Sequence, residues 1–358
     1  MKTHKKNSAN RAVSKKKNTT EDFDVVEVPM VLAGMSESLD EEGNVVRRSR
    51  RYSMQAGKVG RQNAAVIQAI ELIVKNHNIK PIPRVKAPKT SLKDLAVVYV
   101  MGDPHIGMHA WGRECGADFN LKIAERDLCN AILDLVDRSP AGEYGVLINL
   151  GDFLHMDNMR NQTERSGNVL DADTRWPLVL QKAVMIQEFM IRAMLKKHKK
   201  VRLINEIGNH DTQSAHAIML IMEARFRENP RVEIDSSPMR QHYWDWGQTF
   251  ISTTHGDMCR MPEFPALMCQ HPKWSQTRFH YGYTGHVHHL SRIEKGGAVV
   301  ESFRTLAPKD AWHAGKGYTA GREMVSIVLH KKHGEIQRLT APISLVEELA
   351  AAGERKSK

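Results

Sequence analysis

The strongest constraint on the fold is an alternation of apolar runs with longer amphipathic segments in the central part of the chain. The continuous apolar run at 95–101 is typical of a β-strand that is buried on both faces, and the apolar-rich stretches at 146–150 and 201–207 are the second and third predicted strands. Between these runs, apolar residues recur at helical spacing over 121–136 and 176–197. This β-α-β-α-β order predicts an α/β fold with a mainly parallel sheet, because parallel strands need helical crossover connections.

Short apolar segments follow this unit, with little helical periodicity between them. They lie at 249–254, 281–284, 297–304, 323–330 and 335–341. Strand-length segments that follow one another without helices are typical of a sheet of their own. We therefore expect a second sheet packed on the first.

The net charge of +11 is concentrated near the N-terminus. Residues 1–90 hold 18 Lys and Arg against 9 Asp and Glu, whereas residues 91–358 hold 34 against 32. Segment 1–22 is polar and is predicted to be disordered, 46–51 is the densest positive cluster, and the apolar spacing over 60–76 predicts a helix. A basic extension attracts polyanions such as nucleic acid, although a solvated tail that keeps the protein soluble would have the same charge.

These features divide the chain into a basic, partly disordered extension over 1–90, a main domain over 91–345 and a disordered tail over 346–358. No apolar run approaches the roughly 18–20 residues that span a bilayer, so we expect no membrane contact. The four cysteines form no Cys-x-x-Cys pair, which favours reduced thiols in a cytoplasmic protein. The sequence does not indicate an oligomeric state.

Polar motifs stand directly after five of the predicted strands. In chain order they are Asp103-Pro104-His105, Gly151-Asp152, Gly208-Asn209-His210-Asp211, Thr254-His255-Gly256 and Gly285-His286-Val287-His288. In an α/β sheet, ligands bind at the carboxyl ends of the strands, so we expect these side chains to gather at one edge. Each motif alone is a weak signal, because loops and strand surfaces often carry Asp and His. The ordered set predicts a metal centre.

Carboxylate, imidazole and amide donors together suit divalent manganese, iron, zinc or nickel. Two ions can share one site where a carboxylate bridges them, and Asp152, which follows a central strand, is the natural bridge. The glycines of the motifs allow sharp turns and let the backbone approach the cluster closely.

The five motifs resemble the signature of the calcineurin-like metallophosphoesterase superfamily, which is Asp-x-His, Gly-Asp, Gly-Asn-His-(Asp/Glu), His and Gly-His-x-His. The resemblance covers roughly residues 95–345, and every ligand position is matched. It implies a metallophosphoesterase-like β-sandwich of two sheets flanked by helices, in a four-layer α/β/β/α arrangement. It also implies two divalent metal ions, with Mn²⁺ expected and Fe, Zn or Ni as alternatives.

The resemblance further implies a role for each motif residue. Asp103, His105, Asp152 and His288 would hold one ion, and Asp152, Asn209, His255 and His286 would hold the other. A water between ions about 3.5–4 Å apart would lose a proton and attack phosphorus in line. The catalytic residues would be His210, which protonates the leaving oxygen or steadies the phosphate, and Asp211, which orients its imidazole. The alternative for His210 is a buried, hydrogen-bonded structural histidine.

The motif neighbours indicate which phosphoester is cleaved. The segment 151–155 lacks the Gly-Asp-x-Val-Asp-Arg-Gly of protein Ser/Thr phosphatases, and 103–107 and 208–211 resemble the SbcD/Mre-type DNA-repair nuclease branch. We therefore expect hydrolysis of phosphodiester bonds in nucleic acid, which the basic N-terminal segment would bind. The alternatives are a phosphodiesterase of small or cyclic nucleotides and a basic nucleic-acid-binding protein with a vestigial metal site. The combination fits a bacterial or bacteriophage DNA-processing protein.

Two loops, 153–175 and 257–280, and the neighbourhood of the first motif are predicted to contact the substrate. Their candidate residues are His109, His155, Arg160, Arg165, Trp274 and Arg278. Arginines suit phosphate oxygens and a tryptophan can stack on a base. The alternative is that the loops are solvated and that the two histidines are structural.

Overall fold

The computed structural model describes residues 30–39, 45–54, 82, 84–163, 166–317 and 319–356. The chain divides into two compact units, Met1–Ala64 and Ala65–Lys358. The segment 1–22, the predicted helix over 60–76 and Arg165 lie outside the described residues. In the described part of the chain, no helix is both long enough and apolar enough to cross a membrane.

The described part of the first unit is an antiparallel pair of strands. Strand β1 spans Met30–Leu39 and strand β2 spans Val45–Met54, and Glu37 is paired with Arg48 in their register. The positive cluster therefore lies on a strand, which its charge alone does not indicate. The β-branched and aromatic residues at both ends of β2 favour this extended conformation.

The second unit contains both sheets and the helices that flank them. Its described strands are β3 (Leu92–Met101), β4 (Gly142–Asn149), β5 (Lys200–Asn205), β6 (Val232–Ile234), β7 (His242–Trp246), β8 (Thr249–Thr254), β9 (Phe279–Thr284), β10 (Ser291–Lys295), β11 (Ala298–Ser302), β12 (Glu323–His330) and β13 (Gly334–Pro342). Its described helices are α1 (Gly112–Cys115), α2 (Leu121–Arg138), α3 (Trp176–Lys197), α4 (Thr212–Phe226), α5 (Phe264–Met268), α6 (Ala311–Gly315) and α7 (Ile343–Lys356), with a 3₁₀ turn at Trp274–Gln276.

The larger sheet has six strands in the order β13-β12-β3-β4-β5-β6. Strands β3, β4, β5 and β6 are parallel, and α2, α3 and α4 are the connections between them in chain order. The predicted β-α-β-α-β unit is therefore confirmed, and the helix predicted over 176–197 coincides with α3. The fourth parallel strand, β6, has only three residues and no distinct apolar run.

The smaller sheet has five strands in the order β10-β11-β9-β8-β7. Strands β8, β9 and β11 are parallel, and β7 and β10 pair antiparallel at the two edges. The two parallel neighbours β8 and β9 carry the fourth and fifth polar motifs directly after their last residues.

The prediction that 323–330 and 335–341 belong to the second sheet is wrong. Strand β12 pairs antiparallel with β3, and β13 pairs with β12, so both extend the larger sheet. The physical reason is that β12 is buried on both faces. Val328 packs in the core between the larger sheet and the helices (the helix-side core), and Ile327 packs in the core between the two sheets. Such a strand needs a neighbour in the doubly covered sheet.

Alternation along β3 shows how the layers are built. Tyr99 packs in the core between the larger sheet and the helices, whereas Val98 and Val100 pack in the core between the two sheets. On the outer face of the smaller sheet, Phe264 and Met268 of α5 cover its apolar side chains. The prediction of a mixed α/β fold with two packed sheets flanked by helices is confirmed.

The C-terminal residues differ from the predicted tail. The segment that was expected to be disordered over 346–358 is helical up to Lys356, as helix α7. Val346 is fully buried in the helix-side core, and α7 packs against α2. The burial of this apolar side chain stabilises the helix, which the polar residues at the end of the sequence did not predict.

A buried histidine beneath the larger sheet predicts a dependence of stability on pH. His198 is fully buried, with Nε2 2.8 Å from the Tyr99 hydroxyl oxygen, and burial lowers its pKa to about 4. The unfolded chain therefore takes up a proton first as the pH falls below 6.5. We expect this one group to cost about 3 kcal/mol of unfolding free energy between pH 6.5 and pH 4.

The measurement is urea unfolding at several pH values for the wild type and for His198→Gln, whose amide can still bond to Tyr99. The stability of the variant should fall less steeply over this interval. Parallel curves for the two proteins would show that His198 does not contribute to the acid sensitivity.

Candidate metal centre

The five polar motifs meet at one edge of the sandwich. Strands β3, β4 and β5 lead into Asp103, Asp152 and Asn209, and β8 and β9 lead into His255 and His286. A contact between a residue that follows the larger sheet and one that follows the smaller sheet shows that the carboxyl ends of both sheets lie together at this edge. The backbone N–H of His286 donates to both carboxylate oxygens of Asp103, at 2.9 and 3.0 Å.

The structure brings all seven predicted metal ligands together. One cluster contains Asp103, His105 and His288, and a second contains Asp152, His255 and His286, each with its ligand atoms within 4.8 Å of one another. Asn209 joins the second cluster, since its Oδ1 lies 3.1 Å from His255 Nε2. The first cluster contains three of the four residues of one implied ligand set, all but Asp152, and the second cluster with Asn209 contains all four of the other.

In the first cluster, three donor atoms converge on one point. His288 Nε2 lies 3.1 Å from His105 Nε2 and 3.6 Å from Asp103 Oδ1. The carboxylate of Asp103 is fully buried, and its backbone carbonyl accepts a hydrogen bond of 2.6 Å from the Thr305 hydroxyl. A cation between these atoms would satisfy lone pairs that otherwise face one another.

In the second cluster, a backbone contact fixes the orientation of His255. Its Nδ1 is 2.7 Å from the carbonyl oxygen of Leu150, so Nδ1 carries the proton and Nε2 faces the cluster. Nε2 lies 3.3 Å from Asp152 Oδ2. A neutral His255 would therefore point a lone pair at a carboxylate, which only a cation between them can stabilise.

The pKa of His255 also shows that positive charge stabilises this cluster. Burial lowers this pKa, but the Asp152 carboxylate outweighs burial and raises it to about 10. For the Asp152 carboxyl the directions are reversed. Burial raises its pKa, but His255 and His210 outweigh burial and hold the pKa well below its usual value. The cluster thus holds either a proton or a metal ion, and divalent ions fit the carboxylate and imidazole donors present.

The backbone is strained at the same residues. In the described part of the chain, six residues other than glycine have positive φ, and five of them are predicted ligands. These five are Asp103 (φ 40°), His105 (φ 45°), Asp152 (φ 48°), His286 (φ 69°) and His288 (φ 56°). Such conformations cost of order 1–3 kcal/mol each, persist only where the surrounding structure holds them, and are concentrated at functional sites.

Two motif glycines are required by close approach. A Cβ at Gly208 would lie 2.0 Å from Asp152 Oδ1, and a Cβ at Gly285 would lie 2.7 Å from Asp103 Oδ2. Either contact would displace a ligand carboxylate. The glycines of the third and fifth motifs therefore allow the two carboxylates to occupy the centre of the cluster.

The structure places His210 beside the clusters but corrects the role expected for Asp211. His210 Nδ1 lies 2.9 Å from the carbonyl oxygen of His155, and its backbone N–H donates to Asp152 Oδ1 at 2.8 Å. The fully buried carboxylate of Asp211 instead accepts backbone N–H bonds from Gly208, Phe153 and Leu154, because it closes the turn after β5 onto the loop after β4. The His155 carbonyl, not Asp211, orients the imidazole of His210.

His155, in the predicted loop 153–175, lies inside the centre beside His105 and His210. Its buried ring stacks on His210, with the ring centroids 5.3 Å apart, and its Nδ1 lies 3.2 Å from His105 Nδ1. Burial and the neighbouring His210 lower the pKa of His155 to about 3, so the ring is neutral. His105, His155 and His210 form a third cluster of potential ligand atoms.

The structure places Trp274 and Arg278 away from the clusters. Trp274 and Arg278 precede the first residue of β9, whereas His286 follows its last residue, and six extended residues span roughly 20 Å. Trp274 instead stacks on His280, with the ring centroids 3.8 Å apart. His109 and Arg160 are exposed loop residues.

A cavity beside His288 was not expected from the sequence. It has a volume of about 370 Å³ and is lined by residues of 115–117, 305–309 and 319–322. These segments carry no recognisable motif, and only the fold brings them next to the fifth motif.

No family model matches the sequence, and no curated protein matches it. Among solved structures, a Streptococcus pneumoniae protein described as a predicted phosphoesterase is 11% identical, with 69% of this chain and 98% of that chain covered and a TM-score of 0.30. Vps29 with zinc from Entamoeba histolytica is 12% identical, with 69% and 99% covered and a TM-score of 0.31. A putative 5′-nucleotidase from Staphylococcus aureus is 12% identical, with 72% and 58% covered and a TM-score of 0.32. Function is therefore inferred from this chain's own residues.

Removal of one cluster carboxylate should abolish metal stabilisation. We expect Mn²⁺ to raise the melting temperature of the wild type, since a ligand that binds only the folded state at 100 times its Kd adds about 2.7 kcal/mol. In Asp152→Asn, calorimetric titration should show the loss of at least one bound equivalent. Asp245→Asn, an exposed carboxylate on β7, is the matched control. Equal metal binding by all three proteins would contradict the assignment.

Proposed function

We propose that this chain is a metal-dependent phosphoesterase that hydrolyses phosphodiester bonds in nucleic acid, with the architecture of the calcineurin-like superfamily. The observation that carries the proposal is the convergence of seven carboxylate, imidazole and amide side chains, from five ordered motifs, at the carboxyl edge of both sheets. A vestigial site would not need the backbone strain that these ligands retain.

Each proposed ion has four protein ligands. Asp103, His105, Asp152 and His288 would hold one, and Asp152, Asn209, His255 and His286 would hold the other, with Mn²⁺ as the expected metal. Bound divalent ions would offset the charge of a phosphate group and lower the pKa of a water to near neutrality. Two buried carboxylates alone would repel a phosphate, so the cations are necessary for binding.

His210 is the proposed proton donor to the leaving oxygen. The carbonyl of His155 accepts from its Nδ1, which leaves Nε2 as the ring nitrogen that can hold a transferable proton. The stacked, neutral ring of His155 holds this imidazole in place without adding charge. His255 and Asn209 would bind and orient a metal ion, because His255 Nε2 faces both Asp152 Oδ2 and Asn209 Oδ1.

The positive charge of the first 90 residues supports nucleic acid as the substrate. The excess of basic residues lies there, and Arg47, Arg48, Arg50 and Arg51 all belong to strand β2. A small or cyclic nucleotide would not need such a polyanion contact. Counterion release from a nucleic acid would give the extension a salt-dependent share of the affinity.

The proton donor should be more important for poor leaving groups. With Mn²⁺, the wild type should hydrolyse both bis-(p-nitrophenyl) phosphate and labelled single- or double-stranded DNA. His210→Ala should retain its metal and lose roughly 10²–10⁴-fold in kcat on DNA. The loss on the nitrophenyl ester should be smaller, because nitrophenolate leaves without protonation.

The control for this experiment is His333→Ala, at the β12–β13 turn on the opposite edge of the sheet. Equal losses on the two substrates would contradict the role of His210 as an acid. Turnover of cyclic nucleotides without DNA cleavage would replace the proposed substrate class with small phosphodiesters.

The β2 arginines should contribute to DNA affinity. In the full chain, Arg47→Gln/Arg48→Gln should weaken DNA binding and flatten the slope of log K against log salt by up to about 0.9 for each phosphate that is no longer neutralised. Lys196→Gln/Lys197→Gln, at the C-terminal end of α3, removes the same charge elsewhere. Fluorescence anisotropy at several salt concentrations measures both. Equal slopes for the two variants would show that charge in β2 has no special role.

A further inference from the structure

The cavity beside the metal centre has the size of a small-molecule site. Its volume of about 370 Å³ is at the lower end of the usual range of ligand pockets. Its described lining residues are Cys115, Gly116, Ala117, His288, Thr305, Ala307, Pro308, Lys309, Thr319, Ala320, Gly321 and Arg322. His288 belongs to the first cluster as well, so a ligand that fills this cavity touches the metal centre.

The charge of the cavity is opposite to that of the clusters. Lys309 and Arg322 line it, and none of its described lining residues is a carboxylate. The nearby carboxylates lie outside the lining: Asp310 acts on Cys115 and His155, and Asp127 and Glu347 act on Arg322. The clusters contain two buried carboxylates and suit cations, whereas the cavity next to them suits an anion.

The cavity wall is fixed rigidly to the metal centre. The hydroxyl of Thr305 donates to the carbonyl of Asp103, and Ala307 N–H donates back to that hydroxyl at 2.9 Å. Arg322 Nε donates to the carbonyl of Leu306 at 2.8 Å. These bonds fix Arg322 to the wall segment and the wall segment to the first cluster, as a subsite beside a reacting centre requires.

Small side chains leave the rest of the cavity open. Gly116, Ala117, Ala320 and Gly321 present little bulk, and Ala320 is exposed at the mouth. An uncharged group such as a sugar or a base therefore fits beside the two cations. A flat phosphate site would not need this volume.

We propose that this cavity binds the nucleotide next to the scissile phosphate, with Lys309 contacting the phosphate that flanks it. The inference rests on the proposed function, because it assumes that the scissile phosphate lies at the metal clusters. It adds a reason for preferring a polynucleotide. A cyclic nucleotide has no second phosphate, so it cannot use this subsite.

Two ligands that differ by one phosphate test the subsite without turnover. Thymidine 3′,5′-bisphosphate and thymidine 5′-monophosphate are titrated calorimetrically into the Mn²⁺-loaded wild type, Lys309→Met, Ala320→Leu and Lys332→Met. Lys332 is an exposed lysine at the β12–β13 turn and provides the matched change of charge. Hydrolysis of bis-(p-nitrophenyl) phosphate by each protein is measured in parallel.

We expect the wild type and Lys332→Met to prefer the bisphosphate about tenfold, the effect of one charge-assisted contact. Lys309→Met should lose this preference with unchanged hydrolysis of the nitrophenyl ester, and Ala320→Leu should weaken binding of both nucleotides. No preference in the wild type, or its persistence in Lys309→Met, would overturn the subsite. If the preference depends on Lys309 but the protein hydrolyses no diester, the result would support the subsite and contradict the proposed function.

Discussion

The structure depends on two buried carboxylates that require positive charge. Asp103 and Asp152 are almost completely buried, and imidazoles surround them. An unpaired buried carboxylate is prohibitively costly, so the folded chain must hold protons or metal ions at this edge. The raised pKa of His255 shows that a proton on this imidazole can supply the positive charge. The carboxylate and imidazole donors also suit a metal ion in its place. Folding and metal binding are therefore coupled through the same two side chains, and the proposed function couples phosphate binding to them as well.

The rest of the fold keeps these carboxylates in place. The larger sheet supplies both of them from adjacent parallel strands, and the smaller sheet supplies His255, His286 and His288 from two more. Packing between the sheets aligns their carboxyl edges, so apolar burial offsets the positive-φ strain at the ligands. Asp211 contributes as a structural tie between two turns, which explains why a fully buried acid follows His210 in the third motif.

Local pattern was sufficient where the signal is periodic or where chemistry is repeated in order. The helix α3 and the strands β3, β4 and β5 follow from apolar spacing, because their neighbours in sequence also determine their burial. Pairing of β12 with β3 does not follow from spacing, since partners of similar composition exist in both sheets. The stacking of Trp274 on His280 does not follow from composition either, because it depends on how the chain before β9 folds back on that strand.

By itself, the sequence determined the parallel α/β unit, the presence of the later strands and the identity of the clustered polar residues, because each is encoded in short stretches of chain. Only the tertiary structure decided that the His155 carbonyl orients His210, that Asp211 is structural and that a cationic cavity adjoins His288. These features join residues roughly 50 to 200 positions apart in sequence. Their contacts arise where loops that follow different strands meet, and no local periodicity records that meeting.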